Sequence, residues 1–445
     1  MRPELPAAEQ AYLFRHALLR QAAWELQLPA DRSRLHALAL AVLESLFGGR
    51  PPHRDPLGVG SGGTFRPHPT DAIAEELADH ALKAGGADGA QPDHRLAAKL
   101  YSRRAAEHAG RQFRFAAEQE AWMRYAGFVA GVERGEALGR AAQAAQISGR
   151  NDIAEALFAD VLRIFREAGE RHREARVLAT LSVVLDNTGR RVESERVAGE
   201  AREIFRELGD RRLEAIVVGH LSGLYQASGR LEEAEQVGLQ ALATHREFRS
   251  RPLEGAMLAG LASLYLATGR AEQARAAAEQ ALAIHRDAGD RRSEGVTLGV
   301  LSRICRASAG YDEAERFQRQ ALVIHRSCGN RRFEGRSLGS LAVLCDETGR
   351  PEQAGTLYRE AISILGEVGD RRAEASARCG YCRLLLAQGR TGEARACWRE
   401  AAAILRRLDD GALWIDQVTK MREACGRAGV EPFDGEGDPG TPGRT

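Results

Sequence analysis

Lysine is almost missing from this chain: Lys83, Lys99 and Lys420 are the only lysines among 63 basic residues. The rest are arginine, nearly balanced by 62 acidic residues, for a net charge of +1. No global field therefore draws nucleic acid or anionic membrane. Aromatic residues make up only 6%, and they are not interleaved with basic ones as a single-strand stacking platform needs. No apolar run is long enough to span a bilayer. The opening MRPELPAAEQ lacks a charged-then-apolar export pattern, so a cytoplasmic location is expected. Cysteine is absent before Cys305, and all seven cysteines lie between there and Cys425. An odd number inside helical patterns fits reduced thiols better than a disulfide framework. No nucleophile elbow, paired-carboxylate or zincin motif occurs. The chain is expected not to be an enzyme, and to hold neither a metal nor a cofactor.

What is present is repetition. The chain has 445 residues, 44% of them hydrophobic, which allows several domains or one repeat array. Gly-Arg recurs at 149, 189, 229, 269, 349 and 389, with Ala309-Gly310 in the remaining place. The spacing is constant and no step carries an insertion. Midway lies a second mark, Gly-Asp-Arg-Arg at 209, 289 and 369 and Gly-Asn-Arg-Arg at 329. Gly169-Glu170 and Asp409-Asp410 are degenerate copies, and Arg249-Ser250-Arg251-Pro252 replaces it once. Between turns the apolar and small residues recur at helical spacing. Glycine at each turn suits the left-handed position after a helix end, and Pro351 suits a first helical turn. Each unit is thus a helical hairpin, and the whole an all-α solenoid.

Alanine recurs in the second helix at 234, 274, 314, 354 and 394, and again at 201, 241, 281, 321, 361 and 401. The first helix carries Gly219, Gly299 and Gly339 in register with Ala179 and Ala259. Small residues there should allow close helix approach, with a cost of roughly 1–3 kcal/mol for overpacking.

This small-residue pattern resembles the tetratricopeptide repeat family, in the longer variety whose period exceeds the usual 34 or so. The resemblance covers about residues 134 to 410 and implies a right-handed superhelix of about seven hairpins. It also implies a concave groove built from the first helices. A second resemblance lies in Tyr12–Leu46, through Phe14-Arg15-His16-Ala17-Leu18, Ala22-Ala23-Trp24 and Arg34-Leu35-His36. Glu75–His80 and Ala97–Tyr101 continue it. It is similar to the segment closing the ATPase module of bacterial signal-transduction ATPases with tetratricopeptide sensors. That family's phosphate loop ends Gly-Lys-Ser/Thr. None of the three lysines here follows a glycine. The resemblance is therefore to the sensor half, without the ATPase.

The expected organisation is a helical segment at 1–47, a Gly/Pro-rich flexible linker at 48–70 and irregular helical hairpins at 71–133. The array at 134–410 follows, then a capping helix at 411–430 and a disordered tail at 431–445.

Three polar patterns compete for a chemical role. His245, His285 and His325 share one repeat position. Repeats packed about 10 Å apart cannot bring them to the ~2 Å that metal ligation needs, so a structural or surface role is expected. Cys379-Gly380-Tyr381-Cys382 has no second pair and no preceding strand, so it reads as two helix-packed thiols; Cys305 and Cys345 read as core. The repeated Arg-Arg reads either as a basic edge for phosphate or acidic peptide, or as an inter-repeat network with the turn Asp and with Glu214, Glu294, Glu334 and Glu374. The charge balance favours the network.

The family resemblance places a partner segment in the groove. Side chains three before, one after and four after each small marker share a face. They are Arg176, Thr180, His220, Ser263, Arg303, Arg336, Ser340 and Arg383. That face is mixed to basic, so a protein or peptide partner carrying Asp or Glu is expected. Two alternatives stand beside it: a detached regulatory subunit docking on a separate ATPase or kinase, and nucleic-acid binding along the Arg-Arg edge.

Overall fold

The structure, a computed structural model, describes residues 28–58, 65–85, 92–408 and 410–433. Nineteen α-helices and one 3-10 turn occur among the described residues, with no strand. No described helix is long and apolar enough to cross a membrane. The chain divides into two compact units, residues 1–148 with 156–164, and residues 149–155 with 165–445.

The first unit holds α1 (Pro29–Leu46), a 3-10 turn (Pro69–Ile73), α2 (Ala74–Ala84), α3 (Pro92–Arg111), α4 (Phe115–Ala126) and α5 (Gly131–Ile147). Leu77, Ala78, Ala97, Tyr101, Trp122 and Tyr125 form its centre, each at most 1% exposed. The buried phenols need partners. Tyr101 donates to Glu44 at 2.8 Å and Tyr125 to Glu133 at 2.5 Å. The buried Arg104–Asp71 pair, 2.6 Å apart, ties the 3-10 turn to α3. The described parts of the Gly/Pro-rich stretch are also held on α3. Arg103 donates to the Asp55 carbonyl at 2.6 Å, Arg104 to the Arg66 carbonyl at 3.0 Å, and Arg54 pairs with Glu107. Residues 1–27, with Phe14–Leu18 and Ala22–Trp24 of the second resemblance, lie outside the described residues, as do 434–445 of the tail.

The second unit is the repeat array. After α6 (Asn151–Glu167), which the unit boundary crosses, come α7 (Arg171–Asn187), α8 (Arg191–Glu207), α9 (Arg211–Ala227) and α10 (Leu231–Glu247). Then follow α11 (Arg251–Ala267), α12 (Ala271–Asp287), α13 (Arg291–Ala307) and α14 (Tyr311–Ser327). The last are α15 (Arg331–Glu347), α16 (Pro351–Glu367), α17 (Arg371–Ala387), α18 (Thr391–Arg407) and α19 (Gly411–Ala428). Helices pair as α7–α8 through α17–α18, giving six complete hairpins, and α19 packs on α17. This is the α-solenoid that the period implies.

The turns explain the register. Gly209, at φ +70°, follows the end of α8; its N–H reaches the Arg206 carbonyl and the Asp210 N–H reaches Phe205, at 3.1 and 2.9 Å. That double bond satisfies carbonyls the helix leaves open. Asp210, Asp290, Asp370 and Asp410 then cap the next helix, each accepting from the backbone N–H three residues on. Two turns lack glycine where it is needed. Arg249 and Ala309 hold φ of +51° and +57°, and Gly310 falls one residue late.

Both alanine series are buried at 0–1% exposure. The marker glycines behave differently from expectation. A Cβ on Gly219, Gly299 or Gly339 would meet its nearest neighbour at 3.4, 3.9 or 4.0 Å, which is ordinary contact. The tight approaches lie elsewhere: a Cβ on Gly295 would stand 2.6 Å from His325, and one on Gly335 2.8 Å from Leu365.

The array also closes on itself. A Cβ on Gly149 would lie 2.8 Å from the Val368 backbone, and one on Gly189 would overlap the Leu408 side chain. Between these contacts Arg191 meets Asp410 at 2.8 Å, their side chains 8% and 4% exposed. Two early Gly-Arg turns thus stack on two late turns of the other kind, beside Val368 and between Leu408 and Asp410. The array completes a superhelical turn within about five and a half repeats.

Candidate binding surface

Consecutive first helices (α7, α9, α11, α13, α15, α17) approach one another more closely than consecutive second helices do. The array therefore curves with the first helices inside. The face chosen from sequence lies on these helices, and the structure sorts its members. Arg176 and Arg303 are exposed and have no ion-pair partner among the described residues. Arg303 projects from α13. Desolvation lowers its pKa first, and the charge of Arg306 adds to that. Arg336 is already engaged, with Asp370 at 2.7 Å and over the Phe333 ring at 5.2 Å. Arg383 donates to Gln417 on the capping helix at 3.1 Å.

The three hydroxyls turn back to their own helix. Thr180, Ser263 and Ser340 donate to the carbonyls of Arg176, Ala259 and Arg336 at 3.0, 3.3 and 3.1 Å. They remain acceptors only. His220 is half-buried and its Nε2 has no partner. Desolvation lowers its pKa, opposed by Asp186. A neutral imidazole is the form that fits there.

Reading the same helix face one turn earlier adds the second position of each Arg-Arg pair, at 172, 212, 252, 292, 332 and 372. The two positions of the pair do different work. The first is local. Arg171, Arg251, Arg291, Arg331 and Arg371 each bond the Glu three residues on, at 2.5–3.0 Å. Those glutamates are buried and take a second arginine from the preceding helix in most repeats, as Arg286 to Glu294 at 3.0 Å and Arg326 to Glu334 at 2.9 Å. Arg211 instead meets Glu247 in a bidentate pair at 2.8 and 2.7 Å. The network reading holds for this position except at Glu214, which Arg211 does not reach and which lies 3.7 Å from Arg202.

The second position reaches forward to the Asp of the next such turn. His172 meets Asp210 at 3.1 Å, Arg332 meets Asp370 at 3.7 Å and Arg372 meets Asp410 at 2.9 Å. For Arg212 and Arg292 the residue in the Asp place is Ser250 or Asn330, and the rung is missing. Both arginines are exposed and have no ion-pair partner among the described residues. Treating Arg-Arg as one unit hid this. The signal was present in the sequence as the two turns that lack Asp.

The other candidates are core. The histidine position is filled by Phe165 and Phe205 in earlier repeats and by Leu365 and Leu405 in later ones. His245, His285 and His325 are at most 3% exposed. Burial lowers all three pKa values, that of His325 to about 4. No group of metal-ligating side chains forms among the described residues. Cys305, Cys345, Cys379 and Cys382 are buried free thiols. Burial pushes the Cys379 thiol up to about 12, away from reactivity.

Tetratricopeptide repeat models match residues 253–327, 297–367 and 375–400. No curated protein sequence matches the chain. A Rap protein complexed with competence and sporulation factor superposes with a TM-score of 0.57 at 12% identity, over 84% of this chain and 99% of that one. The Rap conjugation gene regulator of plasmid pLS20, complexed with the Phr* peptide, gives 0.52 at 12%, over 67% and 85%. A signal-transduction ATPase with a tetratricopeptide repeat sensor, from Pyrococcus horikoshii, gives 0.43 at 15%, over 79% and 56%. At these identities the likeness is one of fold, and the matched hairpins are tetratricopeptide repeats.

Proposed function

We propose that the array is a protein-interaction module that holds an extended segment of a protein partner against its inner face, and that the segment carries Asp or Glu. The observation that carries this reading is Arg303. It stands exposed on the inner face of the curve, with no ion-pair partner among the described residues. A carboxylate supplied by a partner restores the balance, and charge-assisted bonds of this kind are about twice as strong as neutral ones. Spaced contacts along helical grooves are a general way to hold peptides. The similar Rap regulator of plasmid pLS20 is complexed with the Phr* peptide, which supports a peptide as the class of ligand. A role in bacterial signalling is the setting we favour.

The ion pairs of the first arginines weigh against a continuous basic edge for nucleic acid, since those side chains already have anions. The test is capture of partners from native lysate at low and moderate salt, followed by affinity measurement on the captured segment. Arg303→Glu should weaken that segment at least tenfold while leaving the circular-dichroism melt unchanged. Unchanged affinity would remove the inner face as the binding surface.

A further inference from the structure

The forward ladder marks two further points of contact. It depends on each second-position cation meeting the Asp of the next such turn. The rung is intact at His172, Arg332 and Arg372, lacks its cation at Pro252, and lacks its anion at Arg212 and Arg292. Nearby acids do not replace it. Asp210 and Asp290 cap their own helices through Leu213 and Ser293, and Glu294 is held by Arg286 and Arg291. At the second gap another group is also unsatisfied: Asn330 is 7% exposed and its Nδ2 has no hydrogen-bond partner. Arg292 therefore faces a turn that offers a buried donor where the ladder elsewhere offers an acceptor. Arg332, one repeat on, feels the charge of Arg292, but it also has Asp370 and Asp186 beside it, whereas Arg292 has no ion-pair partner among the described residues.

We propose that Arg212 and Arg292 are recognition points for two carboxylates of the bound segment, which take the places that Asp fills in the intact rungs. This rests on the inner-face reading above and names what that face selects. The two gaps are two repeats apart, or about 20 Å at ordinary helix-packing distances. An extended chain rises about 3.3 Å per residue, so the occupant is a peptide with two acidic side chains about six residues apart. The intervening repeat carries Pro252, which offers no donor there, so no acidic residue is needed midway.

The probe is a displayed library of random twelve-residue peptides, selected on the full chain and on three variants. Wild type should enrich sequences with an acidic pair five to seven residues apart. The best such peptide should bind at least tenfold tighter, by fluorescence anisotropy, than its double Asp/Glu→Asn/Gln counterpart. Ser250→Asp with Asn330→Asp fills both rungs from within and should abolish that preference. Arg212→Gln with Arg292→Gln should do the same at two exposed positions, which keeps the test open if the first variant folds poorly. Arg303→Glu separates the readings: if it abolishes binding while both rung variants select the same acidic pairs as wild type, the inner face stands and the two recognition points fall. Selection without acidic pairs overturns the proposal, as does a single-stranded oligonucleotide that outcompetes the selected peptide in a rung-dependent way.

Discussion

The array has two edges, and they treat their arginines differently. On the Gly-Arg edge four turn arginines reach back to a glutamate on the preceding second helix. Arg190 meets Glu155 at 2.6 Å, Arg230 meets Glu195 at 2.8 Å, Arg270 meets Glu235 at 2.7 Å and Arg350 meets Glu315 at 2.6 Å. The last pair holds the Glu315 pKa down to about 2. Where the turn has lost its arginine, at Gly310, the glutamate is lost too. Arg275 stands in its place and pairs with Glu313 at 3.3 Å. Where the glutamate is lost, at Gly355, Arg390 falls back on Glu393 at 2.6 Å. Every change on this edge is compensated. On the opposite edge the Asp is lost at Ser250 and Asn330 while Arg212 and Arg292 remain. The same repeat logic thus closes one edge and leaves gaps in the other, and the gaps are on the face that lines the inside of the curve.

The largest way to break this contrast is at the seam, where the edges meet. Arg191→Met removes one partner of a buried pair and should cost about 3–5 kcal/mol. Arg230→Met, in an exposed pair of the same edge, should cost under about 1 kcal/mol. Urea unfolding of both reads the difference, and equal costs would mean the seam does not hold in solution.

Acid should act on the gapped edge through its histidines. His325 takes its proton at about 4 in the fold, pushed down by burial first and then by Arg292. The unfolded chain takes it near 6.5. Protons therefore favour the unfolded state, and stability falls as pH drops from about 6.5 to 4, by up to about 3 kcal/mol for this one residue. His325→Leu, the residue of two later repeats, should flatten that part of the pH profile. Asn330→Asp should flatten it partly, by neutralising Arg292. A profile identical in all three proteins would refute the account.

Glycine gives a finer comparison. Gly149 and Gly269 both hold positive φ, +80° and +76°. A Cβ at Gly269 meets nothing within 4 Å, whereas one at Gly149 meets the Val368 backbone. Gly269→Ala should cost roughly 1–2 kcal/mol from the backbone alone, and Gly149→Ala about 1–3 kcal/mol more from the clash. The smallest effect is a gain. Arg249→Gly and Ala309→Gly, one on each edge, should each stabilise by about 0.5–1 kcal/mol, because both side chains occupy a conformation that glycine adopts freely. Thermal melts of the single variants are sensitive enough to show it.

The repeat period, the turn residues, the buried alanines and, outside Arg211, the pairing of the first Arg with the Glu three residues on are legible in the sequence. Each depends on contacts within one hairpin or between neighbours, so local pattern and spacing suffice. The histidine ladder was legible in the same way, because residues one repeat apart stack and do not cluster. What sequence reasoning missed is more specific. The sequence offers Arg336 and Arg383 to a partner in the groove, but Asp370 and Gln417, later in the chain, already hold them. Side-chain reach across a hairpin is set by rotamers and by the rotation between repeats, which composition does not encode visibly.

The closure of the array was beyond reach for a stronger reason. Whether Gly149 meets Val368, and Arg191 meets Asp410, depends on a small rotation per hairpin summed over more than five of them. A change of a few degrees at each step would leave every local contact intact and part the seam. The sequence by itself determined the hairpin, its turns and the charge ladders that bind neighbours. Only the tertiary structure decided that the array curls back on itself, and which of its many arginines are left to face a partner.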